Sequence, residues 1–269
     1  MAYLRPAAME EALAALAGQR MTLLAGGTDY FPARVGRAPE ADILDLTGIA
    51  SLRGIAHGDG LYRFGACTTW TDLLEAPLPP AFDGLRAAAR AVGGRQVQNT
   101  GTLGGNLCNA SPAADGTPNW LALDAAVELV SARGTRRLAV ADFVHGNRAT
   151  ARAPDEVLSA ILVPTPAPHS RGTFLKLGAR AYLVISIVMV AAVAEFAAGR
   201  LSGLRLAVGA AGQRALRLPE AENAVLRGEK LTTAHLAPLA PIDDVRGSAA
   251  FRNDAALTLL RRAVAELAP

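Results

Sequence analysis

Cysteine is scarce in this chain, and its scarcity limits the chemistry that the chain can support. Cys67 and Cys108 are the only cysteines among 269 residues. Two thiols are too few for a disulfide-stapled scaffold. They are also too few for a cysteine-ligated iron–sulfur cluster or zinc site built by this chain alone, since such sites take three or four ligands. The 4 histidines lie far apart, so no metal site is expected.

Long apolar runs and blocks of like charge are also missing. The most hydrophobic stretch, residues 181–194, is too short to span a membrane and is rich in β-branched residues, which predicts a buried strand. The N-terminus is acidic and amphipathic, and it has no apolar signal-peptide core. A net charge of +3 with scattered arginines gives no support for binding nucleic acid. These absences predict a cytoplasmic protein with no membrane span.

The order of apolar segments predicts an α+β protein. A helix at 7–18, a strand in "MTLLAGG", a helix entry at "TDYFPARVG" and a strand at "DILDLT" form an N-terminal α/β unit. A hairpin around "ARGTR" and the strand "EVLSAILVP" follow. The proline-rich connection near 164–172 is the candidate domain boundary. Beyond it, strands are followed by helices, as in an α+β domain.

Two glycine loops are the strongest candidates for a ligand site. They are "LLAGGTDY", residues 23–30, which is expected to lead into a helix, and "TLGGN", residues 102–106. Glycine lets the backbone approach a ligand closely, and amides at a helix N-terminus bind phosphate oxygens. Neither loop matches G-x-G-x-x-G or a P-loop. Each loop alone is therefore compatible with either a simple turn or a dinucleotide site.

Asp115 adds a polar group close to the second loop. It lies ten residues beyond Gly105, between "SPAA" and "GTP". A carboxylate at this position could accept hydrogen bonds from ribose or ribityl hydroxyls. From the residues alone, a turn or capping role is favoured.

Taken together, these motifs resemble the FAD-binding (medium) subunit of the molybdenum hydroxylases, the carbon monoxide dehydrogenase-like and xanthine dehydrogenase-like enzymes. The pattern consists of AGGTD, then T-x-GGN-x-x-x-ASP-x-x-D, then F-x-K-x-G-x-R, and the likeness covers nearly the whole chain. One detail departs from it: many relatives have an arginine where this chain has Gln98 in "QVQN".

The resemblance implies a fold and a division into domains. We expect an FAD-binding domain of the vanillyl-alcohol-oxidase (PCMH) type at 1–168, with two α/β subdomains at about 1–52 and 53–168. A smaller α+β domain, with a three-stranded antiparallel sheet and helices, is expected at 169–269.

The resemblance also implies which residues hold FAD. The first loop would bind the pyrophosphate and the second would close over it. Asp115 would contact the sugar-alcohol portion, Leu158 would pack near the flavin, and Lys176 would lie near the isoalloxazine ring. For Lys176, a solvated position at a strand edge is equally open. The full set is Leu23, Leu24, Ala25, Gly26, Gly27, Thr28, Asp29, Tyr30, Thr102, Gly104, Gly105, Asn106, Asn109, Asp115, Leu158 and Lys176. No residue is expected to act as a catalytic acid or base.

The function implied is that of an electron-transfer subunit in an oxidoreductase complex. Its expected partners are a small [2Fe-2S] subunit, a large molybdopterin subunit and an external electron acceptor, in a dimer of heterotrimers. Two alternatives stay open at this point. One is a free-standing FAD-dependent oxidoreductase of the same fold, and the other is an FAD-free scaffold or assembly protein.

Overall fold

The structure, a computed structural model, describes residues 2–38 and 40–268. Within these ranges the chain forms fourteen strands and nine α-helices. The strands are β1 (Tyr3–Leu4), β2 (Thr22–Leu24), β3 (Ile43–Asp45), β4 (Ile55–Gly58), β5 (Leu61–Gly65), β6 (Ala126–Ser131), β7 (Gly134–Ala139), β8 (Val144–Gly146), β9 (Ala149–Thr150), β10 (Val157–Pro164), β11 (Arg171–Leu177), β12 (Val188–Ala197), β13 (Arg200–Gly209) and β14 (Leu216–Arg217). The helices are α1 (Met9–Gly18), α2 (Trp70–Glu75), α3 (Asp83–Ala91), α4 (Arg95–Thr100), α5 (Leu103–Asn109), α6 (Gly116–Ala122), α7 (Val140–Phe143), α8 (Pro219–Leu226) and α9 (Ala249–Leu267).

The N-terminal unit is a small parallel sheet in the order β1-β3-β2. Helix α1 connects β1 to β2 and buries Ala12 and Leu16 in the same core cluster as Leu44 and Ile49. The predicted strands of this unit are present, and their parallel pairing agrees with an α/β arrangement.

The α-helix expected after the first glycine loop does not form. One turn closes from the Phe31 amide to the Gly27 carbonyl, and a 3-10 turn at Pro32–Arg34 follows. Pro32 has no N–H with which to continue the α-helical hydrogen bonding. Gly36 then takes a left-handed φ of 73° and ends the segment.

The second sheet is antiparallel, in the order β4-β5-β10-β6-β7. The predicted hairpin around "ARGTR" is confirmed as β6 paired with β7. Strand β10 lies at the centre of the sheet and is buried over Val157–Val163, as expected for a short continuous apolar run.

The third sheet is antiparallel, in the order β11-β12-β13-β14. Three strands were expected in this sheet. Three long strands are present, and the two-residue β14 adds a fourth. The strand predicted at 181–194 begins only at Val188. Tyr182 and Leu183 lie before it and are mostly exposed, and Leu183 has a left-handed φ of 51°, which interrupts an extended strand.

Strand β12 is buried on both faces, which explains its uninterrupted apolar sequence. Met189, Ala191 and Val193 pack in the core formed with the second sheet. Val188 and Val190, on the opposite face, pack in the core formed with α8 and α9. Because side chains alternate along a strand, a strand covered on both sides needs apolar residues at every position.

Candidate functional site

A cavity of about 910 Å³ lies where the three sheets meet the glycine loops. Its volume is within the range of small-molecule and cofactor sites. Its wall combines the loop after β2, helix α5, the approach to α6, and residues of β10 and β11. Every residue in the predicted FAD-contact set lines this cavity. The fold therefore brings together residues that are up to about 150 positions apart in the sequence.

The first glycine loop presents unused backbone donors to the cavity. The hydrogen bond from the Phe31 amide to the Gly27 carbonyl closes a turn. In such a turn the first amides have no intrahelical acceptor. None of the amides from Gly26 to Tyr30 donates to an acceptor in the part of the chain that the structure describes. A run of free donors of this kind is typical of the backbone concavities that bind anions.

The second glycine loop is built differently. Its residues form the start of α5, capped by the Thr102 hydroxyl, which accepts from the Gly105 amide at 3.0 Å. The Gly104 amide donates to the Ala66 carbonyl at 2.9 Å. These amides are already used within the protein, so this segment offers side chains to a ligand rather than its backbone. The sequence predicted a helix after the first glycine loop, but the α-helix starts at the second one.

Gly26 and Gly104 also serve contacts between chain segments, a role that the sequence did not predict. A Cβ on Gly26 would lie 2.0 Å from the Thr100 carbonyl oxygen. A Cβ on Gly104 would lie 2.7 Å from the Ala66 carbonyl oxygen. Both are far below a normal contact distance. Gly26 lets the first loop pack against the chain just before the second loop, and Gly104 lets α5 pack against Ala66.

Asp115 is buried at the centre of a polar clamp. One carboxylate oxygen accepts from Lys176 Nζ at 2.7 Å, and the other accepts from Ser186 Oγ at 2.6 Å. Burial raises the pKa of this carboxyl above its usual range, whereas Lys176 and Ser186 act to lower it. A carboxylate has about four acceptor positions, so Asp115 keeps capacity to bind hydroxyls of a ligand.

Four arginines at the cavity were not recognised from the sequence. They are Arg20, Arg34, Arg148 and Arg152. The Arg34 guanidinium lies 3.9 Å from the centre of the Tyr30 ring and donates to the Tyr30 carbonyl at 3.2 Å. Its position four residues after Tyr30 is the spacing of one helical turn, and that spacing is the signal that could have identified it. With Lys176, these cations outnumber the acidic residues Asp29 and Asp115 in the wall, and the excess suits an anionic ligand.

Both thiols at the cavity wall are kept in the neutral form. Burial raises the pKa of Cys67 to about 12 and the pKa of Cys108 to about 11. Since the thiolate is the nucleophile and the metal ligand, neither cysteine is activated at neutral pH.

Gln98, the departure from the family pattern, is buried, and its amide donates to the Arg90 and Val92 carbonyls. In this chain it therefore stabilises the approach to α4.

Residues 2–38 and 40–268 contain neither a metal-binding cluster nor a helix suited to span a membrane. No group of three or more His, Cys, Asp or Glu side chains comes close enough together to hold a metal ion. No helix in these ranges combines the length and apolar character that a membrane crossing needs.

Two family models account for most of the chain. The FAD binding domain in molybdopterin dehydrogenase matches residues 1–166. The CO dehydrogenase flavoprotein C-terminal domain matches residues 173–267. The predicted α+β fold, an FAD-binding domain followed by a C-terminal domain, is confirmed.

Curated relatives and solved structures agree with these models. The xanthine dehydrogenase FAD-binding subunit of Escherichia coli is 32% identical, over 98% of this chain and 94% of the relative. The carbon monoxide dehydrogenase medium chain of Afipia carboxidovorans is 31% identical, over 97% of this chain and 94% of the relative. A chain of carbon monoxide dehydrogenase from Hydrogenophaga pseudoflava superimposes with a TM-score of 0.90 at 29% identity, over 98% of this chain and 96% of that chain. The chain therefore belongs to the FAD-binding medium subunits of the carbon monoxide dehydrogenase and xanthine dehydrogenase family of molybdenum hydroxylases, and it is a flavoprotein subunit of an oxidoreductase.

Proposed function

We propose that the cavity of about 910 Å³ holds the FAD and that the first glycine loop binds its pyrophosphate. The observation that carries this proposal is the run of unused amides from Gly26 to Tyr30 beside cationic side chains. A pyrophosphate supplies negative charge and several acceptor oxygens, which match these donors. Side chains of the second loop, Thr102, Asn106 and Asn109, close over it.

The other end of the cavity suits the remainder of FAD. Asp115 is placed to accept from the ribityl hydroxyls, because it is buried yet keeps spare acceptor capacity. Leu158 on β10 is buried and apolar, and it packs near the flavin ring. Lys176 on β11, tied to Asp115, lies at the edge of the isoalloxazine.

In the complete enzyme, this chain is an electron-transfer subunit. It accepts electrons from the [2Fe-2S] clusters of a small partner subunit and passes them to an external acceptor. A large molybdopterin subunit completes a heterotrimer, and two heterotrimers form a dimer. Bound FAD supplies the redox chemistry, while this chain binds it, orients it and sets its electrostatic surroundings.

We also propose a domain boundary after residue 168, which the two family-model ranges support, and a cytoplasmic location.

The visible spectrum of the purified chain is the first test. We expect flavin absorbance, one FAD per chain after heat release and chromatography, and no iron–sulfur absorbance, because only two cysteines are present. An apo-protein should regain the spectrum when FAD is supplied. Absence of flavin both in the isolated chain and in the complex co-expressed with neighbouring genes would contradict the proposal. Turnover of a small alcohol or aldehyde by the chain alone would instead indicate a free-standing oxidoreductase.

A second test addresses Lys176. Replacing it by methionine should lower the flavin midpoint potential by tens of millivolts, because a cation near the ring stabilises negative charge on the reduced form. For a two-electron couple, about 30 mV corresponds to roughly 1.4 kcal/mol. The measurement is a dye-mediated redox titration. Lys230→Met is the matched control, because Lys230 is the other lysine and is exposed. An equal potential in both variants would remove Lys176 from the flavin site.

A further inference from the structure

The side chain of Asn106 extends from the protein interior to the cavity. The residue lies on α5, is half-buried and lines the cavity. Its Oδ1 atom is fully buried and receives no hydrogen bond from any residue that the structure describes. Of the two polar atoms of this carboxamide, only the oxygen is both buried and without a partner. The NH₂ group is therefore the part that is accessible from the cavity. A buried acceptor without a donor is uncommon and calls for an explanation.

A matching donor lies on the other side of Gly116. Trp120 on α6 is fully buried, and its indole Nε1 has no hydrogen-bond partner among the described residues. A Cβ on Gly116 would lie 2.7 Å from Asn106 Oδ1 and 3.4 Å from Trp120 Nε1. The two unpartnered atoms therefore lie near the same point, which glycine keeps free of a side chain. An indole nitrogen only donates, and a carboxamide oxygen only accepts.

We propose that Trp120 is a positioning residue for cofactor binding. The indole Nε1 and Asn106 Oδ1 do not hydrogen-bond to each other in this structure. When the cofactor binds, a small turn of the Asn106 side chain brings Oδ1 to the indole N–H, which then donates to it and fixes the orientation of the carboxamide. The flipped carboxamide would set its NH₂ group against the indole N–H, two donors facing each other. Trp120 thus selects the orientation that points the NH₂ group into the cavity. There it donates to an acceptor oxygen of FAD, an inference that rests on the proposed placement of FAD in this cavity.

The core can keep its packing when this N–H is removed. The Trp120 ring packs edge-on against Phe64, with ring centres 5.3 Å apart. Phenylalanine at position 120 keeps an aromatic ring in this contact but has no donor. β-(3-Benzothienyl)alanine, introduced at position 120 by amber suppression, replaces the N–H by sulfur and keeps the bicyclic shape. The second variant tests the donor even if Trp120→Phe folds poorly.

A double-mutant cycle on the full chain tests the proposal. The dissociation constant for FAD is measured by flavin fluorescence for the unaltered chain, Trp120→Phe, Asn106→Ala and the double variant. Circular dichroism melting of each verifies the fold. We expect each single change to weaken FAD binding about tenfold, as for the loss of one hydrogen bond. The double variant should be no weaker than Asn106→Ala, because Trp120 acts only through Asn106.

Each other result overturns the inference in an identifiable way. If Asn106→Ala weakens FAD binding but neither substitution of Trp120 does, the positioning role is wrong and the proposed FAD site stands. If the double variant loses about a hundredfold, the two residues act independently and the positioning role is again wrong. If Asn106→Ala binds FAD as tightly as the unaltered chain, both the inference and the placement of Asn106 at the cofactor are wrong.

Discussion

Replacing Gly27 by valine is expected to weaken FAD binding by roughly ten- to a hundredfold. Gly27 has a left-handed φ of 67°, and a Cβ there would lie 2.5 Å from the Phe31 ring. A β-branched residue in this region costs about 1–3 kcal/mol or moves the backbone. The Gly27 carbonyl accepts the hydrogen bond that closes the turn, so a shift here misaligns the amides that we propose bind the pyrophosphate. Equilibrium titration of the apo-protein with FAD gives the affinity directly.

Two controls separate loss of the site from general destabilisation. Gly60→Val places valine at a φ of 74°, with no atom within 4 Å of the new Cβ, in a turn outside the cavity. It should lower the melting temperature while leaving FAD affinity unchanged. Cys108→Ala removes a cavity-lining side chain that is small and neutral, so its effect should be slight. Equal FAD affinity in all three variants would rule out the first loop as the pyrophosphate site.

Replacing Asp115 by alanine is expected to lower the free energy of unfolding of the FAD-free chain by about 3–5 kcal/mol. The change leaves Lys176, whose side chain is 13% exposed, without its partner. Breaking a buried ion pair costs this much because one charge stays buried and uncompensated. Ser186 loses its acceptor as well. Urea unfolding followed by circular dichroism measures the difference.

The exposed pair Arg133–Asp155 supplies the matched control. Its side chains are 66% and 33% exposed. Asp155→Ala, like Asp115→Ala, removes the carboxylate of an ion pair. In solvent, however, such a pair contributes only about 0–1 kcal/mol to stability. If the two variants lose similar stability, the Asp115 clamp has no special role in the fold. FAD titration of Asp115→Ala should also show weaker binding, because the acceptor proposed for the ribityl hydroxyls is lost.

The sequence predicted which residues meet at the cavity better than it predicted the local structure around them. The residues proposed to contact FAD were identified through motifs, and all of them line the same cavity. A motif records which residues meet even when its local conformation is unknown. Helix formation was misjudged at both loops. Thr28 or Asp29 was expected to cap a helix, but Pro32 limits that segment to one turn and a 3-10 turn. The glycines of 102–106 suggested a loop, yet tertiary packing of Gly104 on Ala66 holds them in α5.

Other features depended on tertiary contacts that no single segment encodes. The clamp on Asp115 joins residues separated by 61 and 71 positions. The arginines at the cavity carry no spacing pattern, apart from that of Arg34. The boundary of β12 was misplaced because Tyr182, Leu183 and Ile185 are apolar yet exposed. Hydrophobicity alone predicts burial there, and only the fold shows that this segment lies at the surface.

The Asp115 clamp couples cofactor loading to the cohesion of the two halves of the chain. Its carboxylate follows α5, in the range of the first family model, whereas Lys176 and Ser186 belong to the range of the second. A ligand that contacts this clamp contacts both halves at once. Its binding free energy then adds to the work needed to separate them, by RT ln(1 + [L]/Kd). With FAD in contact with Asp115, as proposed, the cofactor is a third component of the interface, and losing it weakens the attachment of the C-terminal half as well as removing the redox centre.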